Sequence, residues 1–312
     1  MQKWKPKENI FWVGDSITAN GGWINNIWQY LLCKYPQSRF NFRNCGTPGD
    51  NTRQVINRFE YDVMTKCPEQ VIIMLGMNDS GAGMYNKSDA ESKEQNDSIV
   101  CKYREDITLL INMFERRSVD IVLCTPTPYD DTVMLEKDNC KGRNEVLGRF
   151  AQVIKDIGNQ KKLITIDFWQ EMTEYNHKLQ RIYPQFTLCG TDRVHPDAMG
   201  HCMMAYIFLK ATGHYDENFQ NHCPEELFKI IQDKQTIEGK LRNMDMIVRS
   251  MHDRGYEKDN FEAFKAEYIK SIEGKPWYEF CIGALELYEA ERCSVHTLNQ
   301  QVEDLIKIAN QI

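Results

Sequence analysis

Short, continuous apolar runs recur through the first two thirds of the chain: Ile10–Val13, Phe40–Arg43, Val71–Leu75, Ile121–Cys124 and Leu163–Ile166. They are rich in Val, Ile, Leu and Phe, and their length and β-branching predict strands buried on both faces. Between and after them lie stretches of helical length, Trp23–Tyr35, Thr52–Lys66, Ile99–Arg117, Asn144–Gly158 and Ala198–Thr212. Strand–helix alternation of this kind predicts a doubly wound α/β fold. A five-stranded parallel sheet lies between helical layers, in a flavodoxin-like α/β/α arrangement whose ligands bind at the carboxyl ends of the strands. The Gly- and Ser-rich stretch from Met77 to Ser98 reads as a surface loop bordering a site.

From His214 the strand pattern stops. Leu241, Met244, Val248 and Met251 recur at spacings of three or four, as do Phe261, Phe264 and Tyr268, and Leu298, Val302, Leu305 and Ala309. These are helical faces, broken at Gly255 and at Gly274-Lys275-Pro276. The expected division is an α/β domain over residues 1–213 and an all-α extension over 214–312. The extension could be a lid, a surface for homo-oligomer formation, or a bundle packed on the flank of the sheet.

Charge sharpens that division. The 312 residues carry 38 Lys and Arg against 45 Asp and Glu, a net charge of −7. Residues 214–312 hold 12 basic and 19 acidic side chains, so the whole surplus falls in the extension. The balance argues against a nucleic-acid partner, which needs clustered cations. No run approaches the roughly 20 apolar residues of a membrane span. The polar stretch Met1–Glu8 leaves no room for a signal peptide before the first strand. Eleven cysteines, odd in number and without a C-x-x-C pair, predict a reduced, cytoplasmic chain rather than a disulfide scaffold. The adjacent pairs His201-Cys202 and His222-Cys223 lack metal-ligand spacing.

Four short motifs fall on loops at the predicted strand and helix boundaries. The first strand ends in Gly14-Asp15-Ser16-Ile17-Thr18, where a glycine-preceded turn can expose a serine hydroxyl at the start of a helix. The second is followed by Asn44-Cys45-Gly46-Thr47-Pro48-Gly49-Asp50-Asn51-Thr52. A backbone N–H there can face an oxyanion, while Asp50 or Asn51 caps the next helix. Gly76-Met77-Asn78-Asp79 closes the third, and Gly190-Thr191-Asp192-Arg193-Val194-His195-Pro196 precedes a helix far downstream. In that last loop Asp192 could hold one ring nitrogen of His195 while the other faces a serine. Each motif alone is ordinary turn chemistry; the conjunction, in one order, is not.

Together they resemble the SGNH (GDSL-type) hydrolases over roughly residues 9–213. The blocks of that family are a Gly-Asp-Ser start, an Asn-x-Gly-x-x-Gly segment, a Gly-x-Asn-Asp segment and an Asp-x-x-His end. Ile17 stands where the family has Leu, a volume-conserving exchange. The resemblance implies a triad of Ser16, His195 and Asp192. It also implies an oxyanion hole from the Ser16 N–H, the Gly49 N–H and the Asn78 side chain. Gly49 is preferred to Gly46 because Asp and then Thr follow it. Asp15, Trp23, Asp79 and Tyr129 are expected on the pocket rim, the last on the Pro-stiffened segment Thr125–Tyr129.

The implied activity is that of a serine esterase working through an acyl-enzyme on a small-molecule ester. An acetyl group on a carbohydrate or similar alcohol is favoured over a lysophospholipase, thioesterase or acyltransferase reaction. A binding or scaffold protein on the same fold is the other class. No metal or organic cofactor is implied, because the triad and donors already supply base, acid and charge stabilisation.

Overall fold

The computed structural model describes residues 4–81, 90–136, 139–220, 222–275 and 278–312. They form two compact units, Met1–Pro224 and Glu225–Ile312. The first is built from β1 (Asn9–Gly14), α1 (Ser16–Asn20), α2 (Gly22–Lys34), β2 (Asn41–Gly46), α3 (Thr52–Arg58), β3 (Gln70–Met74), α4 (Ala90–Arg116), β4 (Asp120–Cys124), α5 (Arg143–Lys161), β5 (Ile164–Ile166), α6 (Phe168–Gln180) and α7 (Ala198–Ala211). All strand pairs are parallel, in the order β2-β1-β3-β4-β5. The chain steps to one side of β1 and then to the other. The switch point of the sheet therefore lies at the carboxyl end of β1, which leads directly into Ser16.

Right-handed crossovers put α2 on one face of the sheet and α3, α4 and α5 on the other. On the first face Trp12 of β1 and Phe42 of β2 meet Trp23 and Trp28 of α2 and Phe208 of α7. The Trp12 and Trp23 rings lie edge to face with centroids 4.9 Å apart, a favoured aromatic geometry. On the second face Tyr103 stacks on Phe150 at 4.0 Å and Phe59 meets Phe114 at 4.8 Å. Ile24, Ile27, Trp28 and Leu31 of α2 are all buried, as their three-and-four spacing requires.

Several elements differ from the sequence reading. The second strand starts one residue later than expected and runs on to Gly46, because it pairs with β1 along its full length, Asn41 opposite Asn9 through Gly46 opposite Gly14. The third helix stops at Arg58, and a wider π-helical turn, Phe59–Val63, follows it. Of the loop expected over 77–98, residues 82–89 lie outside the described residues, and the chain is already helical from Ala90. Helix α6 has no counterpart among the predicted helices.

The break between the units falls after Pro224 rather than Gly213. Residues 214–216 are bound into the first unit. The His214 ring meets the Trp4 carbonyl at 3.0 Å and the Tyr35 hydroxyl at 3.1 Å, while Lys34 Nζ donates to the His214 carbonyl at 2.8 Å.

The second unit is entirely helical among its described residues: α8 (Glu225–Asp253), α9 (Phe261–Ile272), α10 (Tyr278–Glu291) and α11 (Val295–Ala309), with short 3₁₀ turns between them. Helix α8 packs against α10 and α11, and Leu241, Met244, Ile247 and Met251 of α8, Leu285 of α10 and Leu298 and Val302 of α11 are buried. It also carries a buried Lys234–Glu238 pair at 2.8 Å. No described helix is long and apolar enough to cross a membrane.

Candidate active site

Ser16 is the first residue of α1, and the turn that delivers it tolerates only glycine at position 14. A Cβ on Gly14 would lie 2.1 Å from Thr18 Oγ1 and 2.6 Å from the Met74 carbonyl. Asp15 caps the helix, its carboxylate accepting the Ile17 N–H at 2.9 Å. Asn44 of β2 closes the other end, with Nδ2 donating to the Thr18 carbonyl at 2.8 Å. A five-residue helix with little stability of its own is thus held at both ends.

Ser16 Oγ lies 2.7 Å from His195 Nε2, and His195 Nδ1 lies 2.6 Å from Asp192 Oδ2. The other Asp192 oxygen accepts the backbone N–H groups of Val194 at 3.0 Å and His195 at 2.9 Å, so one carboxylate both folds the loop and orients the ring. Arg193, between them, adopts a left-handed φ of 67° and is buried. Its guanidinium donates to the carbonyls of Asp130, Val133 and Leu135 and fastens the loop to the segment after β4. The His195 and Asp192 side chains are 50% and 48% exposed, so the relay opens directly to solvent.

Electrostatics favour one tautomer. Burial works against charge on Asp192, but the hydrogen bonds from the His195 ring and the two backbone N–H groups outweigh it and hold the carboxyl at about 2. His195 is raised above its ordinary 6.5, chiefly by the Asp192 hydrogen bond; partial burial and the Arg143 charge oppose this, and the Asp192 and Asp15 charges assist it. With Asp192 ionised, the shared proton sits on Nδ1, and Nε2 offers its lone pair to the serine hydroxyl.

Three donors lie at the carboxyl ends of adjacent strands. The Ser16 N–H opens α1 and has no intrahelical acceptor. Gly49 occupies the third position of a tight turn, with φ 79° and the Asp50 N–H bonded to the Thr47 carbonyl at 3.2 Å. The Pro-Gly pair suits this type II geometry, and Gly49 is exposed. Asn78 follows β3 and donates Nδ2–H to the Asp50 carbonyl at 2.8 Å, which fixes the amide and leaves its second N–H for an acceptor in the site.

Of the four expected rim residues, Trp23, Tyr129 and Asp15 are buried and Asp79 is partly exposed. Trp23 is 0% exposed, because its ring fills the aromatic cluster between β1, α6 and α7. Tyr129 is 3% exposed; its hydroxyl accepts the Cys140 N–H and its ring lies under the Arg143 guanidinium. Asp15 is buried as a helix cap, and Asp79, partly exposed, accepts the first N–H of α3, from Thr52, at 3.0 Å. Burial raises both carboxyls to about 6. Asn51, not Asp50, caps α3, through a capping box with Gln54.

Sequence reasoning also passed over three buried arginines that tie down the loops of the site. Besides Arg193 these are Arg143, which donates to the Met77 carbonyl at 2.6 Å and Ser80 Oγ at 2.9 Å, and Arg58, beneath the Gly49 turn.

Asp15 bears on the pH response. An Asn at position 15 keeps the oxygen that caps Ile17 and removes a negative charge facing the His195 imidazolium. In Asp15→Asn the acidic limb of kcat/KM moves to lower pH, because the raised His195 pKa falls. A pH–rate profile checks this, and an unmoved limb would show that Asp15 has no such influence.

Residues 12–202 match the GDSL-like Lipase/Acylhydrolase family. An acetylxylan esterase of Geobacillus stearothermophilus is 24% identical over 221 residues, covering 66% of this chain and 94% of its own. Among solved structures, a catalytic mutant of an acetylxylan esterase from the same organism superposes with TM-score 0.54 at 20% identity, over 69% of this chain and 98% of its own. A gut microbial diltiazem-metabolizing enzyme superposes with TM-score 0.81 at 17% identity, over 100% of this chain and 97% of its own, so its fold includes the helical extension. The chain therefore belongs to the GDSL-like lipase/acylhydrolase family of ester-hydrolysing enzymes.

Proposed function

We propose that the protein is a serine esterase that removes small acyl groups, acetyl above all, from a carbohydrate or similarly bulky alcohol. The observation that carries this reading is the continuous relay from Ser16 Oγ through His195 to Asp192, at 2.7 Å and 2.6 Å. His195 Nε2 takes the hydroxyl proton as Oγ attacks the ester carbonyl. The Ser16 and Gly49 N–H groups and the Asn78 amide receive the negative oxygen of the tetrahedral intermediate. The imidazolium then protonates the departing alcohol, and an acyl-enzyme remains on Oγ. Water, deprotonated by the same nitrogen, attacks that ester and releases the acid, and Oγ recovers its proton.

Two observations support a small acyl group. An acetylxylan esterase is 24% identical over two thirds of this chain and nearly its own whole length. The half-exposed relay also suits an ester whose bulk lies on the alcohol side, whereas a long acyl chain needs an enclosed apolar channel.

Initial rates with p-nitrophenyl acetate, butyrate and octanoate, beside acetate release from acetylated xylo-oligosaccharides, test the reading. Expected is a kcat/KM that falls at least about tenfold from acetyl to octanoyl, the scale of a few methylenes that find no matching pocket. Octanoyl turnover equal to acetyl would overturn the small-acyl assignment and leave a lipid esterase.

A further inference from the structure

Arg58 is a heavily engaged side chain near the site, yet the chemistry has no direct use for it. It ends α3 and is 3% exposed. Nε donates to Asp50 Oδ2 at 2.6 Å, and Nη1 pairs with Asp62, placed one turn on by the π-helical segment. Nη2 donates to the Cys45 carbonyl at 2.7 Å and approaches the Gly14 carbonyl at 3.4 Å. Asp50 is itself 0% exposed, and Lys66 approaches the outer oxygen of Asp62 at 3.3 Å.

A buried ion pair is weak evidence of stabilisation, since desolvating the charges offsets most of their attraction. What a guanidinium provides that a hydrophobic side chain cannot is a planar fork fixing several acceptors at once. Apart from Asp62, each acceptor of Arg58 leads to one oxyanion donor. Gly14 is two residues before Ser16. Cys45 is the penultimate residue of β2, the strand that opens into the Gly49 turn. Asp50 follows Gly49, and its own carbonyl receives the Asn78 amide at 2.8 Å. One cation thus braces the backbone beneath all three donors, and reaches Asn78 through a single intervening residue.

We propose that Arg58 is a positioning residue for the oxyanion hole, acting on Asn78 through Asp50. The proposal rests on the reading of Asn78 as an oxyanion donor. Lysine keeps the charge at position 58 but cannot present the fork.

The test is a double-mutant cycle on acetyl-ester hydrolysis with wild type, Arg58→Lys, Asn78→Ala and the double variant. Arg58→Lys is expected to lower kcat about tenfold to a hundredfold with KM within about twofold, as befits an interaction made in the transition state. The midpoint of the acidic limb stays in place, because Arg58 does not act on His195. In the Asn78→Ala background the effect of Arg58→Lys shrinks to less than about threefold, whereas damage to the fold alone would multiply through unchanged.

Unchanged kcat in Arg58→Lys, or full additivity beside a clear Asn78→Ala defect, overturns the proposal and leaves the oxyanion reading standing. An Asn78→Ala enzyme with wild-type kcat overturns both. If Arg58→Lys lacks the near-ultraviolet circular dichroism of the wild type, Asp50→Asn is carried through the same cycle. It removes the charge Arg58 grips and keeps the backbone carbonyl, with the same coupling expected and the same additive outcome counting against the idea.

Discussion

Alanine at position 16 leaves the chain folded and ends its ester turnover. The substitution is mild for the structure: Ser16 is the first residue of α1, only partly buried, and its hydroxyl meets His195 rather than the core. The Asp15 cap and the Asn44 bonds hold the short helix without it. Chemically nothing replaces the oxygen. On the proposed mechanism no acyl-enzyme forms without this nucleophile, and kcat is expected to drop by on the order of a million-fold, as when the serine of another such relay is removed. What survives is whatever binding and the oxyanion donors do for attack by water. Two measurements check this: steady-state hydrolysis of an acetyl ester, and labelling by a fluorophosphonate probe, expected for wild type and absent in Ser16→Ala. Turnover within tenfold of wild type would mean that a different residue starts the reaction.

The second large effect is expected from Asp192→Asn. The asparagine Oδ1 can still accept the Val194 and His195 backbone N–H groups, so the loop keeps its shape. The amide NH₂ then faces His195 Nδ1 in place of Oδ2. A donor there forces the ring proton to Nε2, which must point its hydrogen at Ser16 and has no lone pair to take the serine proton. The drop in kcat is roughly ten-thousand-fold, the size seen when this carboxylate is neutralised elsewhere.

The pH profile gives an independent sign. The Asp192 hydrogen bond raises the His195 pKa, so the acidic limb of the variant is expected at lower pH than that of the wild type. Asp192 is the opposite case: its folded pKa of about 2 lies below the ordinary 3.8. Its stabilising contribution is therefore present above 3.8 and lost as pH falls through 2. A rate–pH series on both proteins checks this, and coincident limbs would refute the role of Asp192.

The sheet was legible in the sequence because buried parallel strands read as unbroken apolar runs, and the relay because its residues sit on punctuated turns, one at a strand end and one before a helix. What lay beyond reading has physical causes. Trp23, beside Gly21-Gly22, could face a pocket or the core on local pattern alone. Only the arrival of Phe168 and Phe208 from distant elements decides for the core. Tyr129 is drawn under a guanidinium from α5, a contact no local signal encodes. Helix α4 begins early because Ala, Glu, Lys and Gln are good helix formers, although Ser, Asn and Asp among them suggest a loop.

Arg58 did leave a trace. Thr52, Val55, Arg58, Phe59 and Asp62 follow one another at spacings of three, three, one and three, and all are buried. A cation and an anion on an otherwise inward stripe signal a built polar network.

The two halves of the relay are 179 positions apart in the chain. A growing polypeptide that has emerged through its first three strands carries the hydroxyl and its backbone donors but no base, and is chemically silent. Competence is acquired only when the last α/β segment has left the ribosome and docked. The cell is thus spared an exposed, activated serine on an incomplete chain.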